Sequence, residues 1–161
     1  MSIVCGCNFT QWSRNAQMAS AHLATALGED LWLVHVIEPD VEKMDDVATE
    51  KVVAYARDRL ENEAAPLRSL SQRAIHCVVS VGKVSDELRK VTSEKGADLL
   101  VVGSPGHASS ALIRLAGVSD RLATSVGVPL LVIRSPEPFM GWNATSPLRA
   151  LVAIDEHHSS T

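Results

Sequence analysis

The sequence lacks the features that mark nucleic-acid binders, membrane proteins and disulfide scaffolds. Fifteen Lys and Arg against 19 Asp and Glu leave a net charge of −4. That balance excludes the clustered basic footprint of a nucleic-acid-binding domain. No apolar run approaches the length of a membrane span. The N-terminal MSIVCGCNFTQ has no basic stretch followed by a long apolar core, so no signal peptide is expected. Three cysteines, an odd number, do not make a disulfide framework, and a reducing cytoplasm is the expected setting. A Gly-Lys-Ser/Thr phosphate loop is also missing, and no glycine fingerprint follows the first strand-like run.

What is present is a regular alternation. The runs SIVCGC, LWLVHV, AIHCVVSV, DLLVVG and PLLVI are of strand length and rich in β-branched residues or leucine. Most are apolar at successive positions, as in strands buried on both faces of a parallel sheet. Helical periodicity lies between them. Trp12, Ala16, Ala19, Leu23 and Leu27 make one face, with Gly28 as the stop. Val53, Leu60 and Leu67 make a second, which Pro66 should end or kink. Val84, Leu88 and Val91 make a third, with Ser85 expected as N-cap and Gly96 as the end. Val118, Leu122 and Val126 make a fourth, ended by Gly127. The order βαβαβαβαβ predicts a doubly wound α/β fold on a five-stranded parallel sheet. Ligands of such sheets bind beyond the carboxyl ends of the strands, where strand order reverses.

After Arg134 the texture changes. SPEPFMGWNATSP has three prolines and no period and reads as a linker. LRALVAID then repeats the opening pattern, an apolar strand followed by Asp or Asn and hydroxyl residues. The expected organisation is a main domain over 1–134, a linker over 135–147, and the first strand of a truncated second repeat over 148–161. That extra C-terminal strand is expected to join a sheet edge, on this chain or on a second copy.

The chemistry-bearing stretch is GSPGHASSALIRLAGVSDRLATS, residues 103–125. Gly103, Gly106 and Gly117 permit close backbone approach to a ligand. Free N–H groups at the following helix start favour an anion, with Ser104, Ser109, Ser110 and Ser119 as added donors. From these residues alone, an anion site and a plain surface loop both stand. Cys5 and Cys7 share one face of a strand and, with His157 and His158, have the donor types for a metal. Two core cysteines are the preferred reading, so no metal site is predicted. His35 reads as a satisfied core or strand-end histidine and His107 as a solvated loop residue. Asp120 and Arg121 read as a surface pair. No nucleophile–base pair is evident, so no catalytic residue is assigned.

The segment VVGSPGH…LAGVSDRLATSVGVPLLVIR resembles the glycine signature of the universal stress protein family, and the resemblance extends over residues 1 to about 134. It implies the adenine nucleotide alpha hydrolase-like fold. It also implies ATP or AMP bound by an Asp after the first strand, a backbone group after the second and the glycine segment, with Mg accompanying ATP. Carried over by position, the cofactor-binding set is Asn8, Val36, Val102, Gly103, Gly106, Gly117, Val118 and Ser119. Four positions depart from the pattern. Asn8 replaces the Asp. Ala116 and Gly117 stand where Gly and Ser or Thr are expected. Phe9 follows Asn8 where a small residue is expected, and would obstruct the adenine pocket. Asp155, in the tail, stands where the family's Asp does.

Two functions follow from the resemblance. One is a nucleotide-binding stress-response regulator, in which the nucleotide is a ligand and not a fuel. The other is a non-nucleotide-binding interaction protein. A weak ATPase is a third and more distant reading. In either of the first two, a homodimer paired through Leu130, Leu131, Val132 and Ile133 of the fifth strand is implied, alone or in tandem, with no nucleic-acid or membrane partner.

Overall fold

The structure, a computed structural model, describes residues 2–38, 46–104, 118 and 121–145. Five parallel strands form one sheet: β1 (Ser2–Cys7), β2 (Asp30–Ile37), β3 (Ile75–Val81), β4 (Leu99–Gly103) and β5 (Leu130–Ile133). Their order is β3-β2-β1-β4-β5. The chain winds outward from β1 to β3, then returns to the other side of β1 with β4. The reversal therefore lies between β1 and β4, where Ile3 to Gly6 pair with Leu99 to Val102. The doubly wound sheet expected from the alternating runs is the observed one, with strand ends within a residue of the apolar runs. Residues 148–161 lie outside the described part of the chain.

Three described helices join the strands: α1 (Gln11–Leu27), α2 (Asp46–Leu70) and α3 (Val84–Glu94). Residues 121–125 are helical too. The period of two along each strand divides the core into two layers. Ile3, Cys5, Cys7, Leu31, Leu33 and Val101 face α1 and α2. Val4, Val34, Val36, Leu100 and Val102 face α3 and Leu122. Leu31, Leu33, Leu60, Leu100 and Leu122 are fully buried, and each contributes about 1.5–3 kcal/mol relative to an exposed side chain.

Local chemistry sets the helix ends. The Thr10 hydroxyl accepts from the Ser13 N–H at 3.3 Å and caps α1. At its other end Gly28 takes φ 72°, and the Glu29 N–H returns to the Ala24 carbonyl at 2.8 Å. The sheet-facing side of α1 is lined by Ala16, Ala19, Ser20 and Ala24, all with no exposure. Such small side chains let the helix axis approach the strands closely.

Two sequence expectations are corrected. Pro66 neither ends α2 nor stands outside it, because the helix continues to Leu70. Pro66 and Asn62 are both exposed, so the Asn62 carbonyl that Pro66 cannot serve is left to water, while buried Leu60, Ala64 and Leu67 hold the opposite face. Ser85 is not the N-cap of α3. It is a buried residue inside the helix, and the cap position belongs to Lys83, which makes no side-chain cap bond. The Val84 N–H instead donates to Glu38 Oε1 at 3.0 Å, so a residue just past β2 caps a helix 46 residues later.

Beyond β5 the chain folds back over α1. A 3-10 turn spans Glu137–Phe139, and Phe139 and Trp142 pack against the α1 layer of the core. Asn15 Nδ2 donates to the Arg134 carbonyl at 2.8 Å and ties this return to the helix.

Candidate functional site

The carboxyl ends of β1, β2 and β4 surround a cavity of about 180 Å³, at the place where strand order reverses. Gly6, Cys7 and Asn8 wall it from β1. Val34 and Val36 come from β2, and Val102 and Gly103 from β4. Val84 and Leu88 of α3, Ser13 of α1 and Val118 complete it. The wall is mostly apolar, and Asn8 and Ser13 supply its polar side chains among the described residues.

Five of the eight residues expected from the sequence meet here: Asn8, Val36, Val102, Gly103 and Val118. Gly106, Gly117 and Ser119 lie outside the described residues, as does Ala116. Ser13 was missed. A serine three residues after a capping threonine reads as an ordinary first-turn residue, and nothing in the sequence signals that it reaches the cavity.

Gly103 has a structural reason to be glycine. A Cβ there would overlap the Trp12 carbonyl group and lie 2.9 Å from the Ser13 N. The missing side chain thus lets the first turn of α1 sit against the end of β4. Gly6 is a milder case: a Cβ would come 3.3 Å from Leu88 Cδ1 and from Val102 Cγ1, both side chains of the cavity wall.

The turn from β1 into α1 is fixed by Asn8. Its Oδ1 accepts from the Thr10 N–H at 3.2 Å and from the Thr10 hydroxyl at 2.7 Å. Its backbone N–H donates to Ser13 Oγ at 3.1 Å. Phe9, next in the chain, adopts φ 63°. A left-handed conformation is costly for an aromatic residue. It sends the ring away from the cavity, onto the α1–α2 layer, 4.3 Å from the His35 ring and 4.3 Å from the Arg59 guanidinium. Phe9 is absent from the described cavity wall, so the obstruction expected from the sequence is not what the structure shows. Held in place, Phe9 and His35 brace the back of the turn. His35 Nδ1 lies 2.8 Å from the Cys7 carbonyl. A carbonyl can only accept, so this nitrogen carries the proton.

Behind the cavity a polar chain runs to α2. Gln17 Nε2 donates to Glu63 Oε2 at 2.7 Å and to Ser13 Oγ at 3.3 Å. Arg14 Nε pairs with Glu63 Oε1 at 3.0 Å, and the Arg14 guanidinium also donates to the Phe9 carbonyl at 3.2 Å. Ser13 and Gln17 are buried, at 3% and 2% exposure, so this chain is held rigidly.

The cysteines are core residues. Cys5 and Cys7 are buried on one face, and the Cys7 thiol donates to the Cys5 carbonyl at 3.4 Å. Burial, then its contacts with Cys5, push the Cys7 thiol well above its usual range.

Comparison with known proteins agrees with the fold. The model of the universal stress protein family matches residues 1–134. A universal stress protein of Methanocaldococcus jannaschii, MJ0577, is 22% identical over 148 residues, covering 78% of this chain and 91% of that protein. A universal stress protein solved in complex with cAMP superposes with a TM-score of 0.69 at 22% identity, over 84% of this chain and 97% of the other. One from Archaeoglobus fulgidus in complex with dAMP gives a TM-score of 0.63 at 19% identity, over 83% and 98%.

Proposed function

The chain belongs to the universal stress protein family, and from that premise we propose that it is a stress-response regulatory module that binds an adenine nucleotide, ATP or AMP, in the cavity between β1, β2 and β4. The observation that carries this reading is the place of the cavity. It lies at the strand reversal, and its wall contains five residues expected to hold the nucleotide, Asn8, Val36, Val102, Gly103 and Val118. Relatives of the same fold have been solved with cAMP and with dAMP, which supports an adenine ligand here. In this reading the apolar wall of Val34, Val36 and Val102 takes the base. Backbone N–H groups of Gly103, Gly106 and Gly117, with the Ser119 hydroxyl, take the phosphates. Mg²⁺ accompanies the ligand when that is ATP.

Occupancy, not turnover, is the proposed signal. No charged side chain stands in the described wall to act as a base. The output surface is the exposed edge of β5. That strand ends the sheet, and Val132 on it is 42% exposed. Its outer backbone edge, unpaired among the described residues, suits a second copy of this chain. The tail over 148–161 is proposed as the start of a second repeat. The cytoplasm is the proposed setting; no described helix is long and apolar enough to cross a membrane. Isothermal titration of the purified chain with ATP and AMP, with a check for co-purified nucleotide, tests the ligand reading. Saturable binding of either nucleotide is expected. Nucleotide-free protein that gives no binding heat with either would overturn it.

A further inference from the structure

The hydrogen-bond polarity at the β1 end of the cavity is fixed by the neighbours of Asn8 and Ser13, and it leaves these two wall residues with donors alone to offer. The Thr10 backbone N–H can only donate, so the Asn8 amide atom that meets it must be the oxygen. The Thr10 hydroxyl spends its own hydrogen on the same oxygen, since an amide oxygen can only accept. Asn8 Oδ1 is therefore consumed within the turn. The Asn8 amide nitrogen, with two N–H groups, has no protein partner among the described residues.

The same logic applies to Ser13. The Asn8 backbone N–H can only donate, so Ser13 Oγ accepts from it. The Glu63 carboxylate can only accept, so the Gln17 atom that meets it must be the nitrogen, and its second hydrogen goes to Ser13 Oγ. Both lone pairs of Ser13 are thus occupied. Its O–H hydrogen is left without a protein acceptor among the described residues, on a side chain that is 3% exposed and lines the cavity. A buried donor without an acceptor is costly, and a ligand oxygen relieves that cost.

From this donor-only edge we infer that the site prefers a ligand that presents an acceptor-only oxygen to Asn8 and Ser13, namely a phosphate ester on the sugar of the nucleotide. A free sugar hydroxyl is a poorer match. It can accept from these donors, but its own hydrogen then finds no acceptor at this edge. A phosphate oxygen brings lone pairs alone, and its charge strengthens each bond. A carboxylate in place of the Asn8 amide would repel it. The inference rests on the proposal that the cavity takes an adenine nucleotide, and it adds that the sugar lies toward Asn8 and Ser13. The phosphate could sit on either sugar carbon, 2′ or 3′, and the chemistry read by Asn8 and Ser13 is the same.

The test compares AMP with adenosine 2′,5′-bisphosphate and adenosine 3′,5′-bisphosphate by isothermal titration of the full chain. At least one bisphosphate is expected to bind about tenfold tighter than AMP, and the tighter isomer identifies the sugar carbon. Ser13→Ala should lose most of that preference, and Asn8→Asp should reverse it. AMP binding as tightly as both bisphosphates would overturn the inference and leave the nucleotide reading standing. A preference unchanged in both variants would overturn the assignment to Asn8 and Ser13. Failure of all three ligands to bind would overturn the inference, and ATP failing beside them would overturn the nucleotide reading too. The comparison on the unaltered chain needs no variant to fold.

Discussion

Replacing Gly103 by Ala perturbs the junction on which the cavity depends. The added Cβ would overlap the Trp12 carbonyl and stand 2.9 Å from the Ser13 N, both backbone groups of the first turn of α1. No side-chain rotamer relieves a clash with backbone, so the end of β4 or the start of α1 must move. Overpacking of this kind costs about 1–3 kcal/mol and occasionally more. Against it stands the smaller conformational entropy of an unfolded chain with Ala in place of Gly, a gain of about 0.4–1 kcal/mol. Because the contact is with backbone the cost falls at the upper end of that range, so the clash wins and a net loss of about 2 kcal/mol is expected. With a urea slope of about 2 kcal/mol per molar, the unfolding midpoint falls by about 1 M. Gly6→Ala is the control. Its Cβ meets the movable ends of Leu88 and Val102 at 3.3 Å, so its midpoint should fall less. Urea melts of the three proteins, followed by circular dichroism, measure the difference. A Gly103→Ala midpoint within about 0.25 M of the parent, or below no more than Gly6→Ala, would refute the reasoning, since a shift that small is about 0.5 kcal/mol.

Ser20 Oγ is buried with no hydrogen-bond partner among the described residues. Ser20→Ala removes an unsatisfied hydroxyl that costs about 1–3 kcal/mol, so a higher melting temperature is expected in calorimetry, and a drop would show that the hydroxyl has a partner. Burial, followed by the nearby Glu61 carboxylate, pushes the Cys77 thiol up to about 11. The unfolded chain releases this proton near its ordinary value while the folded chain keeps it, so stability is full below about pH 9 and declines from there toward 11. Cys77→Ala should flatten that decline in urea melts across the range, whereas an unchanged pH profile would count against the shift. The β5 edge predicts a dimer at micromolar concentration by light scattering, and Val132→Lys, placing a charge on that edge, should yield monomers. A monomeric parent would dispose of the pairing.

The sequence by itself determined the elements and their order. Continuous apolar runs such as LWLVHV can satisfy both faces only inside a sheet, and the alternation with helical periods leaves little choice but a parallel doubly wound fold. Gly28 marked a helix end because left-handed backbone strongly favours glycine. The carboxyl ends of the strands were the expected ligand side, and the family resemblance named in advance five residues that line the cavity there.

Tertiary structure decided what depends on groups distant in sequence. Ser85 had the local look of a cap, but Glu38 reaches the Val84 N–H first, and no local pattern announces a partner 46 residues away. Pro66 had the look of a helix end, but a carbonyl turned to water tolerates it once Leu60, Ala64 and Leu67 are buried opposite. Phe9 looked like a plug for the cavity until the left-handed turn carried its ring to His35. Ser13 and Gln17 read as ordinary polar residues of the first two turns of a helix. Contact with Glu63 on a different helix fixes which Gln17 atom meets Ser13, and with the Asn8 N–H it leaves Ser13 only a hydrogen to offer. Hydrogen-bond polarity belongs to the assembled network, because each group's role is set by what its neighbour can give or take.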